Sequence, residues 1–281
     1  MSGFDPSWLD LREPVDHRSL AAGPLERLTA TFGGAPVSVA DLGAGSGSAL
    51  RALAPRLGRS QRWTLIDSDP ALLAHARLRL RAWADAVEGD GETLRLNKAG
   101  ATIHVAFLAE ELARDHFPQA AAAADLVVAS AFFDLAGEAW LAAFIERLAA
   151  AQNTLYAPLI YDGLKRFAPA HDLDQAVLVA FNDHQRSEKG LGPALGPDAA
   201  RRLAELAGAQ GYRATAAASP WRLGAADRSL TEALVRGMAS AAAQLPAAPD
   251  ALPKWQAFRL GAAAGGGAVG HVDLLLTPPG S

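Results

Sequence analysis

Five short apolar segments alternate with longer segments of helical periodicity between residues 37 and 163. The five segments are nearly continuous in apolar residues, as in strands that a parallel sheet buries on both faces. In one helical segment, 138–151, large apolar residues recur at the spacing of a buried helix face. This alternation predicts a doubly wound α/β fold with right-handed crossovers. The predicted strands are residues 37–41, 62–67, 101–107, 125–129 and 154–160.

The flanking regions are predicted to add helices and two further strands. Residues 1–36 form a helical cap, and residues 228–262 form two helices interrupted near Pro246 and Pro249. Further strands are predicted at 212–218 and 269–277. We expect residues 1–281 to form a single domain, made of the cap (1–36), an α/β core (37–220), and a helical insertion with the last strand (221–281).

Composition narrows the classes of function. The chain has 281 residues, 26 basic against 30 acidic, for a net charge of −4, and it has no cysteine. The acidic balance does not favour a nucleic-acid partner, and the missing thiol excludes disulfides and cysteine nucleophiles. No apolar run is long enough to cross a membrane, and the first residues lack the pattern of a signal peptide. We therefore expect a soluble cytoplasmic protein. No His, Asp or Glu set has metal-ligand spacing, so we expect no metal.

A glycine-rich loop follows the first predicted strand and leads into a helix. Residues 39–48 read VADLGAGSGS, with glycines at 43, 45 and 47. Glycines allow the backbone to turn sharply and to approach a ligand closely. Twenty residues after Gly47, Asp67 ends the second predicted strand, where a carboxylate can accept hydrogen bonds from the ribose hydroxyls of an adenosine. The pattern predicts a cofactor that contains a nucleoside.

Two cofactor classes share this arrangement, and two residues distinguish them. A dinucleotide loop requires glycine where this chain has Ser48, and Asp41 would repel a pyrophosphate. Asp41 instead suits a cofactor with a cationic amino-acid tail. A nicotinamide oxidoreductase remains the alternative at this point.

The Asp-x-Gly-x-Gly-x-Gly pattern resembles the first motif of class I S-adenosylmethionine-dependent methyltransferases. The resemblance extends through Asp67 to residues 125–130 (DLVVAS) and covers about residues 37–160. It implies a mostly parallel seven-stranded sheet with an antiparallel last strand, and S-adenosylmethionine as the cofactor. The implied cofactor-binding residues are Asp41 for the ammonium group, Gly43, Gly45 and Gly47 for the methionine and ribose side, Asp67 with Ser68 for the ribose, Leu108 beside the adenine, and Ser130 beneath the cofactor.

Candidate catalytic residues follow from where ligands bind in open α/β sheets, beyond the carboxyl ends of the strands. Asp134 and Asp162 follow the fourth and fifth predicted strands, and His184 lies in the polar, glycine-rich segment 182–193, predicted as a loop. His184 is the candidate general base, and the alternative role of the two acids is to cap a following helix or turn. We expect the three to converge in a pocket for the acceptor. The N-terminal segment 8–17 is expected to fold over the cofactor, with Arg12 facing a carboxylate of the cofactor or substrate. A surface salt bridge is the alternative role of Arg12.

The leading interpretation is a methyltransferase that acts on a small polar molecule, by O- or N-methylation. Cytosine-C5 methylation is excluded, because that mechanism needs a cysteine. DNA amino-methyltransferases carry a different motif where residues 130–134 read SAFFD. A nucleic-acid partner is therefore unlikely, although an RNA or protein acceptor stays open. A non-catalytic module that binds S-adenosylmethionine is the remaining alternative.

Overall fold

A computed structural model describes residues 5–89, 93–113, 116–245 and 249–280 of the chain. Ten strands form one sheet in this part of the molecule, in the order β3-β4-β5-β2-β1-β6-β7-β10-β8, with β9 paired to β10. In chain order the strands are β1 (Val37–Leu42), β2 (Ser60–Asp67), β3 (Ala86–Glu88), β4 (Thr93–Lys98), β5 (Ala101–Ala109), β6 (Leu126–Val128), β7 (Thr154–Phe167), β8 (Arg213–Ala218), β9 (Trp221–Leu223) and β10 (Gly267–Thr277).

Helices cover both faces of this sheet. The fourth helix, α4, begins with the N-terminal signals that its sequence contains. Asp69 accepts a hydrogen bond from the Ala71 amide at 2.8 Å, and Pro70 occupies the first turn. The described helices are α1 (Pro6–Ser19), α2 (Ala22–Phe32), α3 (Ser48–Leu53), α4 (Pro70–Trp83), α5 (Gln119–Ala122), α6 (Glu138–Ala151), α7 (Asp174–Gln185), α8 (Ala199–Ala209), α9 (Arg228–Ala242) and α10 (Leu252–Gly261).

Five neighbouring strands form the parallel core that the sequence predicts. Strands β5, β2, β1, β6 and β7 run parallel, and β10 is antiparallel to both β7 and β8. The doubly wound α/β class and the antiparallel last strand are therefore confirmed. The predicted number of seven strands is wrong, because β3 and β4 extend the edge beside β5 and β9 adds a short pair with β10.

Strands β3 and β4, which pair with each other, were not predicted from the sequence, because the apolar residues of β4 alternate with polar ones instead of forming a continuous run. In β4, Leu94 and Leu96 are buried while Thr93 and Arg95 are exposed. That is the period of a strand with one buried face, whereas the five predicted strands of the core have the continuous apolar runs of strands buried on both faces.

Strand β7 continues seven residues beyond its predicted end, to Phe167, and pairs along this extension with the first part of β10. The ribbon carries polar side chains, Lys165 and His271 among them, past the carboxyl end of the parallel core. Residues 182–185, predicted as part of a loop, form the last turn of α7, because Val177, Leu178 and Phe181 give that segment a buried helical face.

The last strand is held in place by a buried carboxylate. Asp273 accepts hydrogen bonds from the amides of Ala21 and Leu159, each at 2.8 Å, and from the Tyr156 hydroxyl at 3.1 Å. These three donors come from the segment before α2 and from β7. One side chain of β10 therefore fixes the N-terminal helices and the centre of the sheet to each other.

The two helices of the insertion pack against the rest of the molecule through a separate hydrophobic core cluster. Buried residues of α9 and α10 share this core with Val15 of α1, Tyr161 of β7 and Trp221 of β9. Among the described residues, no helix combines the length and the apolar character that a membrane crossing requires.

Candidate functional site

A cavity of about 400 Å³ opens at the carboxyl ends of β5, β2, β1 and β6. Its floor comes from the segments that follow these strands, and α1 and the segment 189–191 form its cover. This is the position at which open α/β sheets bind ligands.

The glycine loop has the backbone shape that its sequence predicts. Gly43, Gly45 and Gly47 all have positive φ angles, of 63°, 52° and 74°. At Gly43 an added Cβ would lie 2.8 Å from the ring of Phe132, which lines the cavity. The loop therefore requires glycine at this position for two independent reasons, the left-handed backbone and the close approach.

Asp67 connects the end of β2 to the glycine loop. Its Oδ2 accepts a hydrogen bond from the Gly45 amide at 2.8 Å, and its Oδ1 accepts one from the Asp69 amide at 3.0 Å. Burial raises the pKa of this carboxyl, and the two amide donors oppose the rise. Each carboxylate oxygen keeps a further lone pair, so Asp67 can hold the loop and also accept from ligand hydroxyls.

Asp41 lies at the end of β1, fully buried against the cavity. Its Oδ2 has no hydrogen-bond partner among the described residues. Burial, and then the nearby Asp67, raise the pKa of the Asp41 carboxyl to about 8. Asp41 therefore has an open hydrogen-bonding position at the cavity.

The other predicted cofactor residues divide into two groups. Ser68 and Ser130 line the cavity, as do Gly43 and Gly45. Gly47 lies outside the lining, where it precedes the first residue of α3. Leu108 also lies outside it, with 36% of its surface exposed, because β5 runs on to Ala109. The cavity is lined there by Glu110, Glu111 and Leu112 instead, two to four residues later in the chain.

A family model described as a methyltransferase domain matches residues 39–129, the part of the chain that carries the glycine loop, Asp67 and β6. Residues 39–129 form a methyltransferase domain. The identification made from the glycine loop is confirmed, and with it the expectation of an enzyme that uses S-adenosylmethionine. The comparison with curated protein sequences gave no match.

Solved structures are similar to this chain at low sequence identity. A cyclopropane-fatty-acyl-phospholipid synthase-like protein from Lactobacillus casei shares 18% identity at a TM-score of 0.52, covering 95% of this chain and 98% of its own. A methyltransferase from Geobacter sulfurreducens in complex with S-adenosylhomocysteine shares 16% identity at a TM-score of 0.45, covering 99% of this chain and 100% of its own.

The N-terminal helix of the methyltransferase covers the cavity and is anchored to the glycine loop. Glu13 of α1 accepts from Arg51 of α3, Nε to Oε1 at 2.7 Å, and both side chains are buried. Arg51 also donates to the Ser46 carbonyl at 2.8 Å. Residues Leu9, Arg12 and Asp16 of the same helix line the cavity. The expected position of segment 8–17 over the cofactor site agrees with this geometry.

Arg12 faces the cavity in a fixed orientation. Its Nε and Nη2 donate to the two carboxylate oxygens of Asp16, at 2.8 and 3.2 Å, and Asp16 also accepts from the indole nitrogen of Trp221 at 2.9 Å. Burial raises the pKa of the Asp16 carboxyl, while Arg12 opposes the rise. Arg12 is thus paired within the protein by a salt bridge, the role weighed as its alternative, instead of facing a carboxylate of cofactor or substrate.

The structure does not bring Asp134, Asp162 and His184 together in the cavity, and none of the three lines it. Asp162 accepts from the Leu164 amide at 2.9 Å, which is the turn-capping role weighed as its alternative. His184 ends α7 and lies 3.5 Å, Nδ1 to Nζ, from Lys189, which does line the cavity. Asp134 lies two residues after the cavity-lining Phe132, and burial raises the pKa of its carboxyl to about 6.

Several residues that line the cavity were given no individual site role from the sequence. Asp16 was recognisable only as the (i, i+4) partner of Arg12, and Glu110 and Glu111 only after the end of β5 is known. Within the described ranges, no three His, Asp or Glu side chains are grouped so as to hold a metal ion.

The close approach at Gly43 gives a direct test of the loop. In Gly43→Ala the new methyl group meets the Phe132 ring and the residue keeps a positive φ, so we expect a loss of about 1–2 kcal/mol in the free energy of unfolding and weaker S-adenosylhomocysteine binding. Thermal unfolding and calorimetry measure the two effects. Gly34→Ala is the control, because its methyl group meets nothing within 4 Å. Unchanged stability and affinity in Gly43→Ala would contradict the assigned loop geometry.

Proposed function

We propose that the enzyme transfers the methyl group of S-adenosylmethionine to an oxygen or nitrogen atom of a small polar molecule. The observation that carries this proposal is the buried, unpartnered Asp41 carboxyl at the start of the glycine loop. S-adenosylmethionine brings an ammonium group and a sulfonium, and both are cations that a carboxylate stabilises.

The charge of the whole cavity supports the same ligand. Six acidic side chains line it against two basic ones, Arg12 and Lys189. One of the acids, Asp16, is already neutralised by Arg12. A pyrophosphate or a nucleic-acid backbone would meet net negative charge here, whereas a cationic cofactor meets opposite charge. The acidic residues are Asp16, Asp41, Asp67, Asp69, Glu110 and Glu111.

We assign the cofactor's parts along the strand ends. Asp41 accepts from the ammonium group, and Asp67 accepts from the ribose hydroxyls beside Ser68. Adenine lies towards β5, against Glu111 and Leu112, in place of the Leu108 contact predicted from the sequence. Ser130, at the end of β6, lies beneath the sulfur end.

The chain's contribution to methyl transfer is alignment and exclusion of water. Bound S-adenosylmethionine supplies the methyl group on a positively charged sulfur, a leaving group that needs no acid catalyst. The enzyme holds the acceptor atom in line with the carbon–sulfur bond, and α1 covers the reacting atoms. A cavity of about 400 Å³ with α1 along one side favours a small acceptor over a folded macromolecule.

Calorimetry with S-adenosylhomocysteine and with NADH tests this function. We expect S-adenosylhomocysteine to bind and NADH to give no heat. Asp67→Ala should weaken S-adenosylhomocysteine binding about tenfold or more, because hydrogen bonds to a charged group are lost. The exposed Asp250→Ala serves as the matched control. Heat from NADH without heat from S-adenosylhomocysteine would refute the proposal.

Turnover separates an enzyme from a module that only binds the cofactor. With radiolabelled S-adenosylmethionine and a panel of small alcohols, phenols and amines, we expect label to enter at least one class. Tight cofactor binding with no transfer to any class would favour the non-catalytic alternative.

A further inference from the structure

The lining of the cavity divides into an acidic part and a basic part. The segments at the ends of β1, β2 and β5, where the cofactor is assigned, contribute five carboxyl groups and no basic side chain. The two basic side chains of the lining, Arg12 and Lys189, both lie elsewhere. They belong to the part of the lining that α1, the segment 131–135 after β6, and the segment 189–191 supply. We refer to this part as the acceptor side.

The acceptor side borders the methyl-donor end of the assigned cofactor. Ser130 is assigned beneath the sulfur end, and the next two residues, Ala131 and Phe132, line the acceptor side. An acceptor atom has to approach the methyl group in line with the carbon–sulfur bond, on the side away from sulfur. The space along the acceptor side is therefore where the acceptor molecule is expected to bind.

One positive charge on the acceptor side has no counter-charge. Arg12 is paired with Asp16, Nε to Oδ2 at 2.8 Å, so the charges of these two cancel. Lys189 is half-buried, and within the described ranges its ammonium group contacts His184 Nδ1, at 3.5 Å, and pairs with no carboxylate. Burial lowers the pKa of Lys189, and no acid opposes this shift. A ligand that brings a negative charge would complete this side of the cavity.

His184 orients the Lys189 ammonium without cancelling its charge. The His184 Nε2 atom lies 3.3 Å from Oε1 of Gln244, which can only accept, so Nε2 carries the ring proton. The other nitrogen, Nδ1, then has a free lone pair to accept from Lys189. A neutral ring in this tautomer holds the ammonium group in place. His184, the general base predicted from the sequence, therefore acts here on the position of Lys189.

Lys189 is carried by a loop with internal hydrogen bonds of its own, residues 187–194, which we call the lysine loop. The Ala194 amide donates to the Ser187 carbonyl at 3.2 Å and closes the loop. Glu188 Oε1 accepts from the amides of Gly190 and Gly192, at 2.7 and 3.0 Å. The carboxylate nearest to Lys189 in the sequence is therefore engaged with the backbone of the loop.

The lysine loop is fixed against the segment that follows β6. The Gly137 amide donates to the Leu191 carbonyl at 3.0 Å, and the Leu195 amide donates to the Ala136 carbonyl at 2.8 Å. An added Cβ at Gly137 would lie 2.8 Å from the Leu191 carbonyl oxygen, so the two backbones are in close contact. A cation on a segment held in this way is preorganised for binding an anionic group.

Resting on the proposed function, we propose that the acceptor is a small carboxylic acid, whose carboxylate pairs with Lys189 while its hydroxyl or amino group takes the methyl group. One unbalanced positive charge matches the single charge of a carboxylate better than the nearly two charges of a phosphate monoester. The lone pair of the acceptor's oxygen or nitrogen forms the new bond to the methyl carbon. The carbon–sulfur bond breaks with its electron pair on sulfur, and the displaced proton passes to solvent water. Lys189 determines specificity, and His184 is a positioning residue.

The test compares acids with their neutral carboxamides in the full chain, at saturating S-adenosylmethionine with a radiolabelled methyl group. The pairs are para-hydroxybenzoate, meta-aminobenzoate and lactate, each with its carboxamide. We expect the acid of at least one pair to exceed its carboxamide about tenfold or more in kcat/KM, because the carboxamide lacks the charge that Lys189 binds. Lys189→Met should abolish this preference through KM, and Lys189→Arg should retain it. S-adenosylhomocysteine affinity should be unchanged in both variants. Lys254→Met, which alters an exposed lysine of α10, is the control.

Equal use of acid and carboxamide, or an acid preference that survives in Lys189→Met, overturns the carboxylate site, while label in either compound keeps the proposed function. Weaker S-adenosylhomocysteine binding in Lys189→Met also overturns it, because Lys189 would then hold the cofactor's own carboxylate. Label that alkali releases as methanol marks a methyl ester, and so a carboxylate that is methylated instead of recognised.

If no compound is labelled, calorimetry of the acids with the S-adenosylhomocysteine complex decides the site. No binding, or equal binding to Lys189→Met, overturns it, and binding that Lys189→Met loses supports it. If S-adenosylhomocysteine itself does not bind, the proposed function fails, and the same calorimetry with the free protein decides the site.

Discussion

Asp41→Asn should weaken S-adenosylhomocysteine binding by about 3 kcal/mol, or about a hundredfold, at pH values where the wild-type carboxyl is ionised. The reason is that the ligand's ammonium group would be buried against a neutral amide instead of a carboxylate. The Asp41 side chain is fully buried, so water screens its charge very little. Calorimetry measures the difference, with the exposed Asp250→Asn as the control.

The same contact predicts a release of protons on binding. In the free enzyme the Asp41 pKa is raised from 3.8 to about 8, so the carboxyl is protonated at neutral pH, whereas the ammonium group selects the carboxylate. Affinity should therefore rise with pH in this window, by up to about tenfold per unit, and level off above about pH 8. Binding heats in buffers of different ionisation enthalpy count the proton. An equal release in Asp41→Asn would assign the proton to another group.

Glu13→Gln should lower the free energy of unfolding by about 3–5 kcal/mol, because it leaves the buried Arg51 guanidinium without its counter-charge. Arg51 also holds the Ser46 carbonyl of the glycine loop, and α1 covers the cavity. S-adenosylhomocysteine affinity should fall along with stability. Denaturant unfolding and calorimetry follow the two quantities in one set of samples.

The double variant Glu13→Leu with Arg51→Met separates charge from packing. Removing both partners leaves no unpaired buried charge, so its loss should be smaller than that of Glu13→Gln. The exposed pair of Glu88 and Arg95 is the matched control, and Glu88→Gln should cost less than about 1 kcal/mol. A double variant less stable than Glu13→Gln would show that the side chains contribute chiefly by packing.

The parallel core could be predicted because local sequence alone determines it. Continuous apolar runs specified β1, β2, β5, β6 and the first half of β7, and Asp69-Pro70 specified the start of α4. The predicted strands at 212–218 and 269–277 likewise correspond to β8 and β10, whereas the extension of β7 depends on tertiary pairing. The extension of β7 to Phe167 contains the polar residues Lys165 and Arg166, and it is a strand because β10 pairs with it.

The residues of the candidate site likewise fall into those that a local motif predicts and those that depend on tertiary structure. Asp41, Gly43 and Asp67 lie within one motif whose spacing implies their geometry, and the structure places all three at one cavity. Asp162 and His184 were chosen from their position after a strand or within a polar segment, and neither lines the cavity. Lys165 and His271 lie on neighbouring strands only because β10 runs antiparallel beside β7, a pairing across about one hundred residues that no local pattern contains.

The place of β10 between β7 and β8 has a consequence for the order in which the chain can fold. Until residues 267–277 are available, β7 and β8 each present an unpaired edge, and Asp273 is not there to hold Ala21 and Leu159. Exposed strand edges of this kind are sites of aggregation. Chains interrupted before Gly267 should therefore collect in the insoluble fraction, although they carry the whole glycine loop. During synthesis, the cofactor pocket should close only after the ribosome has released the β10 segment.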